Sequence, residues 1–443
     1  MLIQNLTNAS ILITGEREKI IIDPWFEDGI YLGTWHNFPR VSEKKLQDYM
    51  ENVNYCLITH LHKDHFNIES IKKYLNKSTK FVLPKVFGYQ VMFNSLKSNG
   101  FEDVVILDCG VSMLETNEFS IQSIEPLNTS GVIDVTTNAL SIDAGFIVYS
   151  KKHSKKLIFL ADNNLYDLEK VKKNLELLES PDLIAFAYSG FACEYPFKFK
   201  FNDKEMVDIC NSLEKIRFKK QTKCLNLIKP KNILVYSSEF IPVHKHSKKW
   251  LEIFPQIWTS DKFKVAKKYS AECGAIGFAM YPDDKLIFEY NEEISADFKK
   301  IDKNNLIKEM IDYAGSIQSD SYYDKFCEEG TSIEEIVELL RGASQNYKNS
   351  LLRNNLSPSQ VLNFYSNGFY IGSVSTDGEL YTKNQNGKDC NFLDIDAELF
   401  LLKRLLLNQE HWNDASLSMR ILWNRVPDIY CSDTLNALNY LRN

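Results

Sequence analysis

The stretch that most constrains this chain is NYCLITHLHKDHF (54–66), a short apolar run that ends in three histidines and an aspartate within six positions. An apolar run of strand length reads as a buried strand that delivers polar residues at its C-terminal end. His60 and His62 stand two apart, so in an extended or loop segment they project toward one side and can grip one metal ion. Asp64 and His65 follow at a spacing that lets them face a second ion beside it. Neutral imidazole suits zinc or iron, and an oxygen donor tolerates either and can orient a bound water. A lone histidine is more often structural, whereas H-x-H-x-D-H directly after an apolar strand is a metal-site pattern.

The surrounding sequence alternates strand-like and helical segments. ASILITG and EKIIIDP are separated by a charged turn and predict a hairpin, because β-branched residues crowd both arms. TKFVLP, DVVILDCG, FSIQSIEPL, AGFIVYS, KLIFLADNN, PDLIAFAYSG and KNILVYSSEFIPVHKH read as further strands. IESIKKYL, VFGYQVMFNSLKSNG and LEKVKKNLELLES carry apolar residues at helical spacing. AECGAIGFAMYPDDKLIFEY is expected to form a terminal hairpin near residue 290. This alternation predicts an α/β domain over 1–298. After that the character changes, and 299–443 is expected to be a mainly helical C-terminal domain of unassigned role. It includes a helix capped by Thr331 with Glu334 and a small hairpin about the Thr-Asp-Gly turn of FYSNGFYIGSVSTDGELYTKN.

Composition excludes several classes. The 443 residues carry 52 Lys plus Arg against 59 Asp plus Glu, a formal charge of −7, so no global field concentrates a polyanion and nucleic acid is not an expected partner. KHSKK (152–156) reads as a hairpin tip, and HKHSKK (244–249) is a second lysine cluster that could contact phosphate. The first residues show no signal-peptide pattern, and the longest apolar runs fall short of the roughly 18 residues a span needs, so a cytoplasmic protein is expected. Nine scattered cysteines, none paired as CxxC, indicate neither a disulfide framework nor a zinc ribbon.

The run T-H-L-H-K-D-H from Thr59 to His65 resembles the signature of the metallo-β-lactamase fold superfamily. The resemblance implies an αββα sandwich with a metal site at the sheet edge. It also implies a further histidine, then a bridging aspartate at a strand end, then a last histidine at another strand end. Asp162 in KLIFLADNN matches the bridging aspartate, with a turn or helix cap after a strand as its other reading. His244 in LVYSSEFIPVHKH matches the last histidine, with His246 as its rival. The additional histidine is missing: His153 lies in the KKHSKK turn, and Glu125, Asn128 or His36 are the candidates to replace it.

A narrower resemblance rests on IDPWF (22–26), GTWHNFP (33–39), YSGFACEYPFKF (188–199) and the run from ELFLLKRLLL to RVPDIY. These are similar to the branch that contains CMP-N-acetylneuraminate hydroxylase-like proteins. The paired C-x-H and C-x-x-H ligands of a Rieske domain do not occur in this sequence. Trp25, Trp35, Phe38 and Tyr195 either pack a core or line the mouth of the cleft.

The expected function is a metal-dependent hydrolase in which His60, His62, Asp64, His65, Asp162 and His244 hold one or two divalent ions. Zinc leads, with iron or manganese as alternatives, and Asp64 serves as both ligand and orienter of the attacking water. The expected substrate is a small molecule, a phosphodiester or nucleotide-sugar-like compound. The rivals are an iron-dependent oxygenase of a nucleotide-linked sugar served by a separate electron donor, and a binding module on a degenerate scaffold.

Overall fold

In the computed structural model the described residues are 1–127, 142–187, 197–237, 240–253, 262–290, 293–299, 302–318, 322, 330–383, 391–429 and 431–443. Two mixed sheets face each other. The first has eight strands in the order Ser295–Asp297, Lys285–Ile287, Leu2–Thr7, Ser10–Thr14, Lys19–Ile22, Tyr55–Leu57, Lys80–Pro84, Val104–Leu107. The second has seven, in the order Ile276–Ala279, Asn232–Tyr236, Leu183–Ala187, Lys155–Phe159, Gly145–Ser150, Phe119–Ile124, Met113–Glu115.

Strand alternation explains the layering. Ile11, Ile13, Ile20, Ile22, Leu57 and Val82 point inward and meet Phe146, Val148, Leu157, Phe159 and Leu183 of the other sheet. Their sequence neighbours Leu12, Ile21, Cys56, Ile58, Phe81 and Leu83 point outward and pack with Leu46, Met50, Ile71, Met92 and Leu96 of three helices. On the far face Ile158, Ile184, Ile233 and Val235 pack with Leu225, Ile228, Val265 and Tyr269 of two more helices. The N-terminal region is therefore an αββα sandwich.

The expected hairpin at 271–290 does not form. Ile276–Ala279 pairs parallel to Asn232–Tyr236 at the edge of one sheet, while Lys285–Ile287 pairs with Leu2–Gln4 in the other. The chain changes sheets because Asp283 and Asp284 are held on the first: Gln4 Nε2 donates to Asp283 Oδ1 at 3.0 Å, and the backbone N–H of Asn5 donates to the Asp284 carbonyl at 3.2 Å. A separate two-stranded ribbon pairs Trp35–Asn37 with Phe240–Pro242.

The C-terminal region has helices Ile333–Asn354, Leu399–Leu406, Trp412–Leu417 and Ser432–Leu438 around one core. Its hairpin, Val361–Ser366 with Phe369–Val374, turns at Asn367 and Gly368, both at positive φ, as such two-residue turns require. The Thr-Asp-Gly turn joins Phe369–Val374 to Leu380–Tyr381 instead, and Phe392–Asp396 and Leu422–Val426 extend the sheet to five strands. The cap of Ile333–Asn354 falls on Ser332, whose side chain accepts from the backbone N–H of Glu335, one residue past the expected Thr331. Helix Lys303–Ser316 packs its Met310 and Ala314 with Trp25, Trp35 and Trp250, on the sandwich side. Among the described residues no helix is long and apolar enough to cross a membrane.

Candidate metal centre

Three strand ends converge on one edge of the sandwich. Lys19–Ile22 is followed by Asp23, Tyr55–Leu57 by the histidine loop, and Lys155–Phe159 by Asp162. Ligands in open α/β sheets gather outside the carboxyl ends of parallel strands. Two of these ends, and that of Asn232–Tyr236, turn through a non-glycine residue in the left-handed region: Asp23 at φ 48°, Ala161 at φ 47° and Ser237 at φ 72°. Such conformations cost of the order of 1–3 kcal/mol each and cluster where side chains must be aimed. Gly88, at φ 89°, leaves room for the loop itself, since a Cβ there would come within 2.0 Å of Leu61 Cδ2.

The loop is braced from behind. The fully buried Asp23 accepts from the Thr59 backbone N–H at 2.8 Å and from the Thr59 hydroxyl at 2.7 Å, and its Oδ2 lies 2.8 Å from His65 Nδ1. The Thr59 hydroxyl gives its proton to Asp23, so its oxygen accepts from His60 Nδ1, 3.0 Å away. Both contacts place a proton on Nδ1, so a metal would take Nε2, the usual role of such outer partners; burial opposes a charge on His65, but Asp64, Asp162 and Asp23 raise its pKa well above the ordinary value, so a cation would displace its Nε2 proton. His65 Nε2 is buried and faces carboxylate oxygens of Asp64 and Asp162 at 3.3 Å without a well-aligned hydrogen bond, an arrangement a cation would satisfy. Burial lowers the pKa of His60 far below its ordinary value, and His65 and His62 lower it further, so it is a neutral imidazole.

Two donor sets result: His60, His65 and Asp162 in one, and His60, His62 and Asp143 in the other, each with ligand atoms within 4.8 Å of one another. His60 Nε2 is 3.0 Å from His62 Nδ1 and 3.7 Å from Asp143 Oδ1. His65 Nε2 is 3.3 Å from both Asp162 Oδ2 and Asp64 Oδ2. The Tyr31 hydroxyl donates to Asp64 Oδ1 at 2.7 Å and accepts from the Lys63 backbone N–H at 3.1 Å, locking the carboxylate. Burial opposes ionisation of Asp64, but the His65 and His62 charges and these hydrogen bonds hold its pKa at about 2. This mixture of imidazole and carboxylate fits a divalent cation.

The structure brings together His60, His62, Asp64, His65 and Asp162, and adds Asp143, Asp23 and Tyr31. It does not bring His244 into either set. His244 is fully buried, its Nδ1 accepts from the His246 backbone N–H at 3.5 Å, and burial with Arg420 beside it drives its pKa to about 2. Its Nε2 is buried without a hydrogen-bond partner, and His246 stacks 4.9 Å away outside both sets.

The candidates for the missing ligand also change. The Glu125 carboxylate accepts from Asn174 Nδ2 at 2.9 Å and pairs with Lys173 at 3.4 Å, and it joins neither donor set. His36 Nε2 lies 3.2 Å from the Gly33 carbonyl, and its ring is edge-on to Tyr313. Asn128 lies outside the described residues, as does Tyr195. Asp143 follows the undescribed 128–141 stretch and is a single letter before an apolar strand, so no spacing signal marked it. Asp23 stood inside the quoted IDPWF, where its position one residue after a β-branched run was the available signal.

The aromatic residues make a core. Trp35 stacks on Phe240 with centroids 3.8 Å apart and meets Tyr31 edge-on at 4.8 Å, while Trp25 is fully buried. Through Tyr31 this cluster supports Asp64. Both lysine clusters are engaged: Lys152 pairs with Glu16, Lys245 with Glu398 at 2.9 Å, Lys248 donates to the Ile317 carbonyl at 2.8 Å, and Lys249 lies over Trp250.

No family model matches the chain. Over 84 residues, 19% of its length, it is 34% identical to a protein from Mycolicibacterium smegmatis named as a Rieske 2Fe-2S iron-sulfur protein. That match takes in 16% of the longer protein, so the chain spans less than a fifth of this curated relative. Among solved structures it is similar to a possible metal-dependent hydrolase from Veillonella parvula, at a TM-score of 0.45 and 16% identity over 65% of this chain and 99% of that one. It is also similar to CmlA, a diiron β-hydroxylase from Streptomyces venezuelae, at a TM-score of 0.44 and 14% identity over 64% of this chain and 53% of that one.

Proposed function

We propose that this chain is a metal-dependent hydrolase whose first ion sits on His60, His62 and Asp143 and whose second sits on Asp64, His65 and Asp162. The observation that carries the reading is the pair of donor sets meeting at His60. One imidazole nitrogen has one lone pair, so His60 serves one ion and the remaining donors are left for a neighbour. A divalent ion held there acidifies a water toward neutrality and polarises the oxygen of the bond under attack. Asp64 orients that water, its own position fixed by Tyr31. Asp23 and Thr59 keep His65 and His60 in the tautomer that binds. The proposed substrate is a small molecule with a phosphoryl or acyl linkage, such as a phosphodiester; the two lysine clusters add no phosphate patch, since their side chains bind other residues.

A second reading, an iron-dependent oxygenase fed by a separate electron donor, is supported by Asp143. A carboxylate where the superfamily resemblance implies a histidine shifts the donor set toward oxygen, which suits iron or manganese better than zinc. Metal analysis of protein purified without chelator tests both. Zinc or manganese with turnover of a chromogenic phosphodiester supports hydrolysis, iron with oxygen consumption supports the oxygenase, and protein that binds no metal sinks both.

A further inference from the structure

Residues 29–33 present Tyr31, the side chain that locks Asp64, and four of the five stand at positive φ: Gly29 at 82°, Tyr31 at 48°, Leu32 at 59° and Gly33 at 80°. Glycine takes that region freely, whereas in Tyr31 and Leu32 the Cβ crowds the following carbonyl. Two such residues in succession persist only where their surroundings over-determine them.

Much of that surrounding comes from the C-terminal region. Leu32 is 4% exposed and belongs to its apolar core, with Ile336, Leu402, Trp412 and Ala415. The Leu32 carbonyl accepts at 3.1 Å from Nε of Arg420, which is 388 residues along the chain and 1% exposed. Trp35, packed edge-on against Tyr31, donates from its indole nitrogen to the Leu417 carbonyl at 2.9 Å. Lys63, whose backbone N–H donates to the Tyr31 hydroxyl, pairs through Nζ with Asp414 at 2.7 Å. Asp414 and Leu417 belong to helix Trp412–Leu417, and Arg420 follows it closely. The ion pair is partly exposed and weak by itself, whereas breaking either buried hydrogen bond leaves a carbonyl or an indole N–H unsatisfied.

We propose that the C-terminal region is a positioning element for the metal centre: through Arg420, Leu417 and Asp414 it holds Tyr31 and Leu32 in the left-handed conformation, and Tyr31 in turn fixes Asp64. Its effect on binding rests on the metal reading given above; the clamp on residues 29–33 does not. Arg420, Leu417 and Asp414 supply no ligand to either donor set, so they act through the segment they hold.

The test follows amide hydrogen exchange in the chelator-treated full chain, and zinc affinity by chelator competition, for the parent, Arg420→Gln, Asp414→Lys, and Asp414→Lys combined with Lys63→Asp. Arg420→Gln is expected to speed exchange about tenfold in peptides covering 29–35 and 60–66 and to leave 155–162 at the parent rate. Its zinc affinity is expected to fall by about tenfold or more, as for outer partners of a metal site. Asp414→Lys is expected to shift exchange in the same two peptides by about threefold, and the added Lys63→Asp to reverse that shift. Parent exchange rates in both single variants, a rise that reaches 155–162 equally, no reversal in the double variant, or faster exchange at 29–35 with zinc affinity unchanged would each overturn the proposal. A parent chain that takes up no divalent metal would overturn the metal reading itself, and the exchange comparison, made without metal, still decides the clamp. Because Arg420 is buried and its variant can fail to fold, Asp414→Lys and its reversal decide the matter alone in that case.

Discussion

On the side of the eight-stranded sheet, four of the proposed ligands come from the six positions His60 to His65, and their braces, Thr59 and Asp23, sit at the start of the same loop and at the end of the neighbouring strand. On the side of the seven-stranded sheet, Asp143 and Asp162 lie 162 − 143 = 19 residues apart, at the start of one strand and the end of the next. The first half is arranged by local chain geometry plus one hydrogen-bonded carboxylate. The second exists only because Gly145–Ser150 and Lys155–Phe159 pair as a hairpin and the sandwich presses both ends toward the histidines. A compact motif tolerates small shifts of the sheets, whereas scattered donors depend on them.

The largest effect expected on this contrast is His62→Ala, which should abolish metal-dependent turnover and leave the circular dichroism spectrum and melting behaviour close to the parent. Full activity in that variant would remove the motif half from the site. Asp143→Ala should weaken metal binding more than about a hundredfold in chelator competition, beyond the range typical of outer partners. Unchanged affinity would show that the scattered half contributes only Asp162. Asp23→Asn should weaken binding by about 10- to 100-fold, because it frees the His65 ring without removing a donor; an effect equal to His65→Ala would mean that Asp23 acts as more than a brace.

Sheet alignment can be probed apart from metal binding. Asp283 accepts from Gln4 and Tyr49 and pairs with Lys45 and Lys299 where the chain crosses between sheets. Burial raises its pKa, but Lys299, Lys45 and Tyr49 more than offset this and hold it below the ordinary carboxylate range. A carboxylate lowered on folding contributes stability that is present above about pH 4 and lost as the pH falls through its folded-state value. Asp283→Asn should therefore cost about 2 kcal/mol at neutral pH in urea unfolding. The gap between variant and parent should close in acid, and a gap independent of pH would remove the ion pairs from the explanation. The smallest effect expected is for Glu125→Ala, whose carboxylate faces Asn174 and Lys173; its metal affinity should match the parent in the same competition.

Several features were legible from the sequence for identifiable reasons. The β-branched residues crowding ASILITG and EKIIIDP predicted the hairpin, and both arms are apolar throughout because one face of each strand meets the opposite sheet and the other meets a helix. NYCLITH gave both the buried strand and the placement of His60, since a strand end and its loop are fixed by local geometry. The Ile276–Ile287 segment misled for the complementary reason: its two apolar arms have hairpin spacing, and only the hydrogen bonds from Gln4 and Asn5 route them to different sheets. Glu125 and His36 were reasonable by sequence position, but a side chain's direction is set by packing, and theirs is turned toward Asn174 and Gly33.

By itself the sequence determined the clustering of His60, His62, Asp64 and His65, the alternating α/β layers of the first region and the helices of the second, because each depends on neighbours within a few residues. Only the tertiary structure decided that Asp143 joins His60 and His62, that His244 stands outside both donor sets, and that Phe199 lies with Trp412 and Trp423. Those meetings join residues 81 to more than 200 positions apart, and no local pattern records a distance that is set by how sheets pack.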